Sequence, residues 1–325
     1  MGHGRGFRYL DTDGHALSAA DRERVRALVI PPAWRDVWVC PWPNGHIQAV
    51  GTDAAGRRQY LYHPYFREQQ DAAKHEHVQR VARSLPRLRE HVARDLAGRG
   101  LTRLRVLACL TRLLDLGFLR VGGERYARDN GSFGLTTLLR EHATCRSGEI
   151  RLRFPAKSGK EVERSLVDEQ AHAVIRALLR RGEDGERLFA YWENGKWHEV
   201  HADDVNSYLR DRSGRDVTAK DFRTWYATVL AAVALAVSES TTGASRARRG
   251  KVVARAVREV SAYLGNTPAV CRASYIHPRV IERYEEGETI AAALGELGEN
   301  GTFGEPATHG HVERAVLRLL RSGTP

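Results

Sequence analysis

Apolar positions recur at every second residue in three short stretches near the start of the chain, and at every third or fourth residue over most of the remainder. Asp36–Cys40, Gly45–Val50 and Arg58–His63 alternate as half-buried strands do, and Pro43-Asn44-Gly45 and Ala55-Gly56 supply turns between them. Ahead of these, Ser18 precedes apolar residues at helical spacing, which predicts a short capped helix from Ser18 to Leu28. After His63-Pro64 the period changes. Helices are predicted over Val78–Ala97, Arg103–Phe118, Asp168–Arg181 and Asp221–Val237, with another from about Val252 to Leu264. One hairpin interrupts them, with Glu149–Phe154 and Glu161–Leu166 alternating on either side of a Lys157-Ser158-Gly159-Lys160 tip. Thr241–Lys251 is rich in Gly, Ser and Arg and reads as a mobile connection. The expected fold class is α+β. A small N-terminal antiparallel β-sheet domain, residues 1–70, precedes a larger, mainly α-helical domain, residues 71–325, that carries the β-hairpin.

Composition adds a partner to this picture. With 325 residues, 42% hydrophobic and 28% charged, the chain can bury a real core and is not disordered in composition. Its net charge of +11 and pI near 9.8 point to a polyanion, nucleic acid first. Arginine supplies nearly all of the positive charge, since the only lysines are Lys74, Lys157, Lys160, Lys196, Lys220 and Lys251. Cys40, Cys109, Cys145 and Cys271 lie far apart without zinc-finger spacing, and read as small apolar residues in a reducing compartment. The longest apolar stretch, around Val229–Val237, is short and Ala-rich, and the N-terminus has no apolar signal core. A soluble, cytoplasmic, nucleoid-associated protein is expected, with no membrane partner.

The neighbours of each candidate motif narrow the chemistry. Gly159-Lys160 is followed by Glu161 and Gly250-Lys251 by Val252, so neither is a nucleotide-binding P-loop. Asp11-Thr12-Asp13-Gly14 reads as a turn and Asp203-Asp204 as the start of a helix. No metal and no cofactor are expected, so any phosphodiester chemistry falls to cationic side chains. Such side chains stand in Phe118-Leu119-Arg120-Val121-Gly122, at Lys157 on the hairpin tip, and in Lys220-Asp221-Phe222-Arg223. Gly265-Asn266-Thr267-Pro268 comes next, and Ser274-Tyr275-Ile276-His277-Pro278 places a tyrosine nine residues after Asn266. Each alone has an ordinary explanation: a helix-end charge, a solvated turn lysine, a half-buried aromatic.

Taken together and in order, these segments resemble the catalytic set of the poxvirus-like and bacterial type IB DNA topoisomerases. Ile30-Pro31-Pro32-Ala33-Trp34 and Gly56–Tyr62 resemble signatures of the same family, so the likeness spans nearly the whole chain. The resemblance implies Arg120, Lys157, Arg223 and Asn266 as catalytic residues and Tyr275 as the nucleophile, with Lys220 as a proton relay. It implies that Gln59, Tyr60 and Tyr62 lie on a face turned to the DNA major groove, that Tyr126 touches a phosphate, and that a monomer closes as a clamp around duplex DNA. Asn266 stands where the best-known members carry His. An amide can donate a hydrogen bond but cannot be a cation or a general acid, so its part here is hydrogen bonding.

The residue types suit the reaction. Guanidinium forks match the non-bridging oxygens of a phosphodiester and stay charged. A phenol of pKa near 10 is helped toward phenolate by neighbouring positive charge, and a lysine ammonium can protonate a departing 5′ oxygen. Exchanging a phosphodiester for a phosphotyrosine is nearly isoenergetic, so no ATP is expected. Arg246, Arg248, Arg249, Lys251, Arg255 and Arg258 form a run without an intervening acid, suited to phosphate contacts. Two other readings use parts of this pattern. A tyrosine recombinase shares the chemistry but usually carries a helical N-terminal domain and His-x-x-Arg where this chain has Lys220-x-x-Arg223. A non-enzymatic DNA-binding protein would explain the charge but not the spaced set.

Overall fold

The structure, a computed structural model, describes residues 2–3, 6–7, 9–11, 13–182, 185–238, 245–295 and 308–321. The chain divides into two compact units, Met1–Lys74 and His75–Pro325.

In the first unit, short strands β1 (Gly2–His3) and β2 (Gly6–Phe7) pair with each other, and α1 (Ala19–Ala27) follows, with the Ser18 hydroxyl accepting from the Asp21 amide. Strands β3 (Arg35–Val39), β4 (Ile47–Thr52) and β5 (Arg58–Tyr62) then form an antiparallel sheet in that order. Buried Gln48 builds the turn before β4: its amide donates to the carbonyls of Trp42, Pro43 and Gly45 at 3.2, 3.0 and 2.7 Å. Gly51 has no room for a side chain, because a Cβ would lie 2.6 Å from the Trp34 ring. The Asp11 turn is a turn in fact, its carboxylate accepting from the amides of Asp13 and His15 at 3.0 and 2.7 Å; Thr12 lies outside the described residues. The alternation of β5 separates two expected neighbours. Tyr60 and Tyr62 share its exposed side, whereas Gln59 falls on the other side and donates to Asp53 at 2.9 Å. The common face expected for all three is therefore held by the two tyrosines, because successive strand residues point oppositely.

Helix α2 (Pro64–Leu96) leads to the second unit, which is mostly helical. Its order is α3 (Arg103–Gly117), α4 (Glu124–Asn130), strands β6 (Ala143–Arg146), β7 (Glu149–Pro155) and β8 (Glu161–Val167), α5 (Glu169–Leu179), hairpin β9 (Ala190–Glu193) and β10 (Lys196–Glu199), then α6 (Ala202–Ser213) and α7 (Ala219–Val237). It closes with α8 (Arg246–Leu264), α9 (Pro268–Ser274), α10 (Pro278–Glu286), α11 (Ala291–Gly295) and α12 (His311–Arg321). Asp203 and Asp204 fall in the first turn of α6. The core is centred on α3 and α7, where Leu107, Leu110, Leu114, Phe222, Trp225 and Tyr226 are all buried. The predicted hairpin is two strands of a three-stranded sheet, β6 being too short to show a period. The mobile reading of Thr241–Lys251 is corrected over its second half. Ser245 caps α8 by accepting from the Arg248 amide at 3.4 Å, so residues 246–251 are helical, while 241–244 lie outside the described residues. The four cysteines are free, Cys145 half-buried and the others buried, and no described helix is long and apolar enough to cross a membrane.

A buried ionic network fixes α12 to this core. Arg89 on α2 donates to Asp115 at 2.9 and 3.1 Å, to Glu313 at 2.6 and 2.9 Å, and to the Tyr226 hydroxyl at 2.8 Å. Trp225 Nε1 adds a 2.9 Å bond to Glu313, Tyr226 donates to Asp115, and His309 Nε2 lies 2.8 Å from the Tyr226 oxygen. Burial alone would raise the Asp115 pKa, but the Arg89 charge overrides it and holds the carboxyl below its usual range. Burial lowers that of His309, against the pull of Asp115. Both shifts make acid unfavourable: the unfolded chain takes up protons that folded His309 and Asp115 refuse, so stability falls from the ordinary histidine range downward and further through the carboxylate range. Replacing Arg89 by Met strands two buried carboxylates and is expected to cost about 3–5 kcal/mol, the scale for breaking a buried pair. Urea unfolding followed by tryptophan fluorescence would measure it; a loss below about 1 kcal/mol, the scale of exposed ion pairs, would show that the network is not a structural tie.

Candidate active site

The segment carrying Arg120 is held by its backbone. Phe118 caps α3 in the left-handed region at φ +55, unusual for a residue with a large side chain. Its ring packs edge-on against Tyr226 and Tyr263, with centroids 4.8 and 5.0 Å away, and this holds the turn. Beyond it, the amide of Leu135 donates to the Arg120 carbonyl at 2.9 Å and that of Thr136 to the Val121 carbonyl at 2.7 Å. The approach is close enough to need two glycines. A Cβ on Gly134 would sit 2.6 Å from the Gly122 backbone, and Gly122 itself has φ +101. The glycine two residues after Arg120 is thus a packing requirement of the arginine's own loop.

Three arginines converge on the carbonyl end of α8. Gly265 ends that helix at φ +65, and the Asn266 amide closes back on the Ser261 carbonyl at 2.9 Å. The carbonyl of Tyr263 accepts from Arg164 at 2.6 Å, that of Leu264 from Arg223 at 2.8 Å, and that of Gly265 from Arg120 at 3.4 Å. Arg223, 5% exposed, also donates to the Phe118 carbonyl, which explains why that residue's strained turn matters to the site. Arg120 donates to Asn266 Oδ1 at 2.8 Å. A guanidinium has only donors, so the amide atom facing it must be the oxygen. The Asn266 nitrogen is thereby turned the other way, where it is buried without a hydrogen-bond partner.

The arginines and the carbonyl end of α8 surround a cavity of about 150 Å³, lined by Arg120, Lys160, Arg164 and Arg223 together with Phe118 and Gly265. Burial lowers the pKa of Arg120. Burial, followed by repulsion from Arg120, brings that of Arg223 down to about 10, with Tyr275 acting in the opposite sense on both. Both therefore remain cations at neutral pH.

Tyr275 caps the short helix α9, which Thr267 opens by accepting from the Val270 amide. This single helix accounts for the nine-residue spacing from Asn266. Tyr275 is half-buried, and the Arg223 guanidinium lies 5.7 Å from its ring centroid. Thr228, on the same helix as Arg223, holds the segment from beneath: its hydroxyl lies 3.3 Å from the Tyr275 carbonyl and accepts from the His277 amide at 3.1 Å. Arg120, Arg223, Asn266 and Tyr275 are thus brought together. The lysines are not. Lys157 is exposed on the turn Lys157–Gly159 between β7 and β8 and does not line the cavity, and Lys220 is exposed in the first turn of α7. Lys160 and Arg164 line it instead. Neither is marked by the sequence, Lys160 sharing a tip with Lys157 and Arg164 standing among the alternating charges of β8. Of the expected DNA contacts, Tyr126 is 61% exposed on α4, and Arg246, Arg248 and Lys251 are exposed along the first turns of α8, with Arg249 half-buried.

Residues 63–298 match the family described as eukaryotic DNA topoisomerase I, catalytic core, and residues 6–53 match bacterial DNA topoisomerase IB, N-terminal domain. The DNA topoisomerase 1B of Acanthamoeba polyphaga mimivirus is 32% identical over 285 residues, covering 86% of this chain and 84% of the viral protein. The DNA topoisomerase I of monkeypox virus and the DNA topoisomerase 1B of vaccinia virus (strain Copenhagen) are each 21% identical over 240 residues, 73% of this chain and 72% of theirs. With an N-terminal antiparallel sheet, a mainly helical unit and matches over both, the chain belongs to the type IB DNA topoisomerases.

Proposed function

We propose that the enzyme nicks one strand of duplex DNA through a covalent bond between Tyr275 and the 3′ phosphate, lets the DNA rotate, and reseals it without ATP or a metal ion. The observation that carries this reading is the geometry around Asn266, where an amide nitrogen without a partner faces away from Arg120 beside two arginines that, among the described residues, bond neutral oxygens and pair with no carboxylate. Such a cluster offers several donors and uncancelled positive charge to one anion, which is what a phosphodiester transition state requires. Tyr275 gives up its phenol proton to water and its oxygen attacks phosphorus, the bond from phosphorus to the 5′ oxygen breaks as that oxygen takes a proton, and religation reverses both steps. Arg120 and Arg223 take the non-bridging charge, and the Asn266 amide donates to one of those oxygens. Lys157, from the tip of the β7–β8 hairpin, supplies the proton, with Lys220 as its relay. Tyr60, Tyr62, Tyr126 and the basic start of α8 engage the duplex, around which a monomer closes. A cytoplasmic, nucleoid-associated enzyme suits this activity.

A second assignment of the acid has its own support, since Lys160 lines the cavity and Lys157 does not. A bridging 5′ sulfur at the cut separates the two, because a thiolate leaves without a proton. Lys157→Ala is expected to slow cleavage of ordinary DNA roughly 10²–10⁴-fold, the range for a positioned proton donor, and to cleave the sulfur substrate nearly as fast as the unaltered enzyme. If Lys160→Ala shows that pattern and Lys157→Ala does not, Lys160 is the acid.

Supercoiled plasmid in EDTA and without nucleotide is expected to relax in small steps. An absolute need for ATP or Mg²⁺ would overturn the mechanism, and exchange between paired sites would indicate a recombinase. Tyr275→Phe should bind duplex with near-normal affinity and form no covalent adduct, since only the nucleophilic oxygen is lost; an adduct mapped to Tyr263 or Tyr284 would move the nucleophile. Asn266→Ala is expected to lower the cleavage rate roughly 10–10³-fold, up to the scale for removing one oxyanion donor, at unchanged DNA affinity.

A further inference from the structure

Arg164 is a cation that the proposed mechanism does not use. It lies on β8, yet it lines the same cavity as Arg120 and Arg223. It is anchored as they are, by a carbonyl at the end of α8: Nη2 donates to Tyr263 at 2.6 Å, one residue before the carbonyl that holds Arg223. Its Cζ stands 4.9 Å from the centroid of the Tyr263 ring, which supports the plane of the fork, and Nη1 donates to the Glu163 carbonyl at 2.8 Å. These two bonds leave most of its five N–H groups unengaged, and Nε is buried with no partner. Among the described residues no carboxylate pairs with Arg164, although acids stand on both sides of it along β8 and Arg153 on the adjoining strand is paired with Glu161. An arginine that serves only as a brace gains from a carboxylate partner. One that is oriented by neutral carbonyls beside two other guanidiniums is held against repulsion, and Arg164 is among the charges that lower the Arg223 pKa.

We propose that Arg164 is a third phosphodiester-binding guanidinium of this site, contacting a backbone phosphate of the cut strand from the side of the β7–β8 hairpin. This rests on the reading that Arg120 and Arg223 grip the scissile phosphate. A third fork from β8 engages either the remaining edge of that phosphate or its neighbour on the same strand, and so ties the hairpin that carries Lys157 to the DNA at the moment of attack.

The test uses the full chain on a duplex whose cleavage position has been mapped with the unaltered enzyme, under single-turnover conditions. Arg164→Ala is expected to lower the cleavage rate roughly 10–100-fold, the scale of one hydrogen bond to a charged group, while the melting temperature and the circular dichroism stay unchanged. Arg164→Lys keeps the charge but cannot hold both the Tyr263 carbonyl and a phosphate, and should fall between the two. Neutral methylphosphonates are then placed singly at the scissile phosphate and its neighbours. At the phosphate that Arg164 contacts, the substitution should slow the unaltered enzyme, leave Arg164→Ala no slower than before, and slow Arg164→Lys by less than the unaltered enzyme. If the two losses multiply at every position, or if neither variant is slowed on ordinary DNA, Arg164 does not contact phosphate and the proposal fails. Failure of the wider reading looks different, because the unaltered enzyme would then form no adduct at Tyr275 on any of these duplexes.

Discussion

The site depends on the way α8 ends. The last carbonyls of a helix lack intrahelical partners and carry the negative end of its dipole, roughly half an elementary charge. Here the left-handed Gly265 turns the chain so that three successive carbonyls, of Tyr263, Leu264 and Gly265, face arginines from three different elements. Carboxylates would hold those side chains as firmly, but would neutralise them. Neutral acceptors fix each fork in place and leave its charge uncancelled. The contrast lies within the same unit. Arg89 is as deeply engaged as Arg223, but Asp115 and Glu313 surround it, and it ties α12 to the core instead of facing a cavity. What separates a structural arginine from one poised for an anion is the charge of its acceptors, not its burial.

The arrangement has an electrostatic consequence. Arg223 lies in low-dielectric surroundings close to Arg120, and burial first, then that repulsion, brings its pKa down to about 10. The folded protein sustains it because the packing of Phe118 against Tyr226 and Tyr263 and the glycine contacts at Gly122 and Gly134 hold the loop that carries Arg120 and the Phe118 carbonyl that Arg223 bonds. In the proposed reaction a phosphodiester would relieve the repulsion, and the more so as negative charge builds on its oxygens. The reorganisation that water would have to undergo in solution would then be completed during folding.

Much of this is legible in the sequence because it is local. Alternation reveals β3 to β5, the helical period reveals α3, α5 and α7, and Gly265-Asn266 announces a helix end. The spacing from Asn266 to Tyr275 is one short capped helix. What escapes depends on contacts between distant residues or on weak local signals. The polar first half of α2 and the Arg-rich start of α8 show no apolar period, so both helices begin earlier than the pattern suggests. Gln59 is expected beside Tyr60 and Tyr62, although a strand must turn it the other way. Arg164 looks like any charged residue of an exposed strand until Tyr263, almost a hundred positions later, supplies its acceptor. The role of Glu313 is equally hidden, since nothing in a terminal amphipathic helix foretells that Arg89 and Trp225 converge on it.

Asn266 shows why the site is coherent without the histidine its position suggests. A histidine there would bring another titratable group next to Arg120 and Arg223, whose mutual repulsion already shifts one of them. Its protonated form would have no acceptor for Arg120, so only the neutral ring, with its bare nitrogen toward Arg120, could take the place of the amide. The amide carries no such condition. Its oxygen is committed to Arg120 at 2.8 Å, which fixes its orientation, and its nitrogen presents donors at every pH the protein survives. Three guanidiniums are therefore oriented by a single helix terminus, and the amide is oriented in turn by one of them, Arg120.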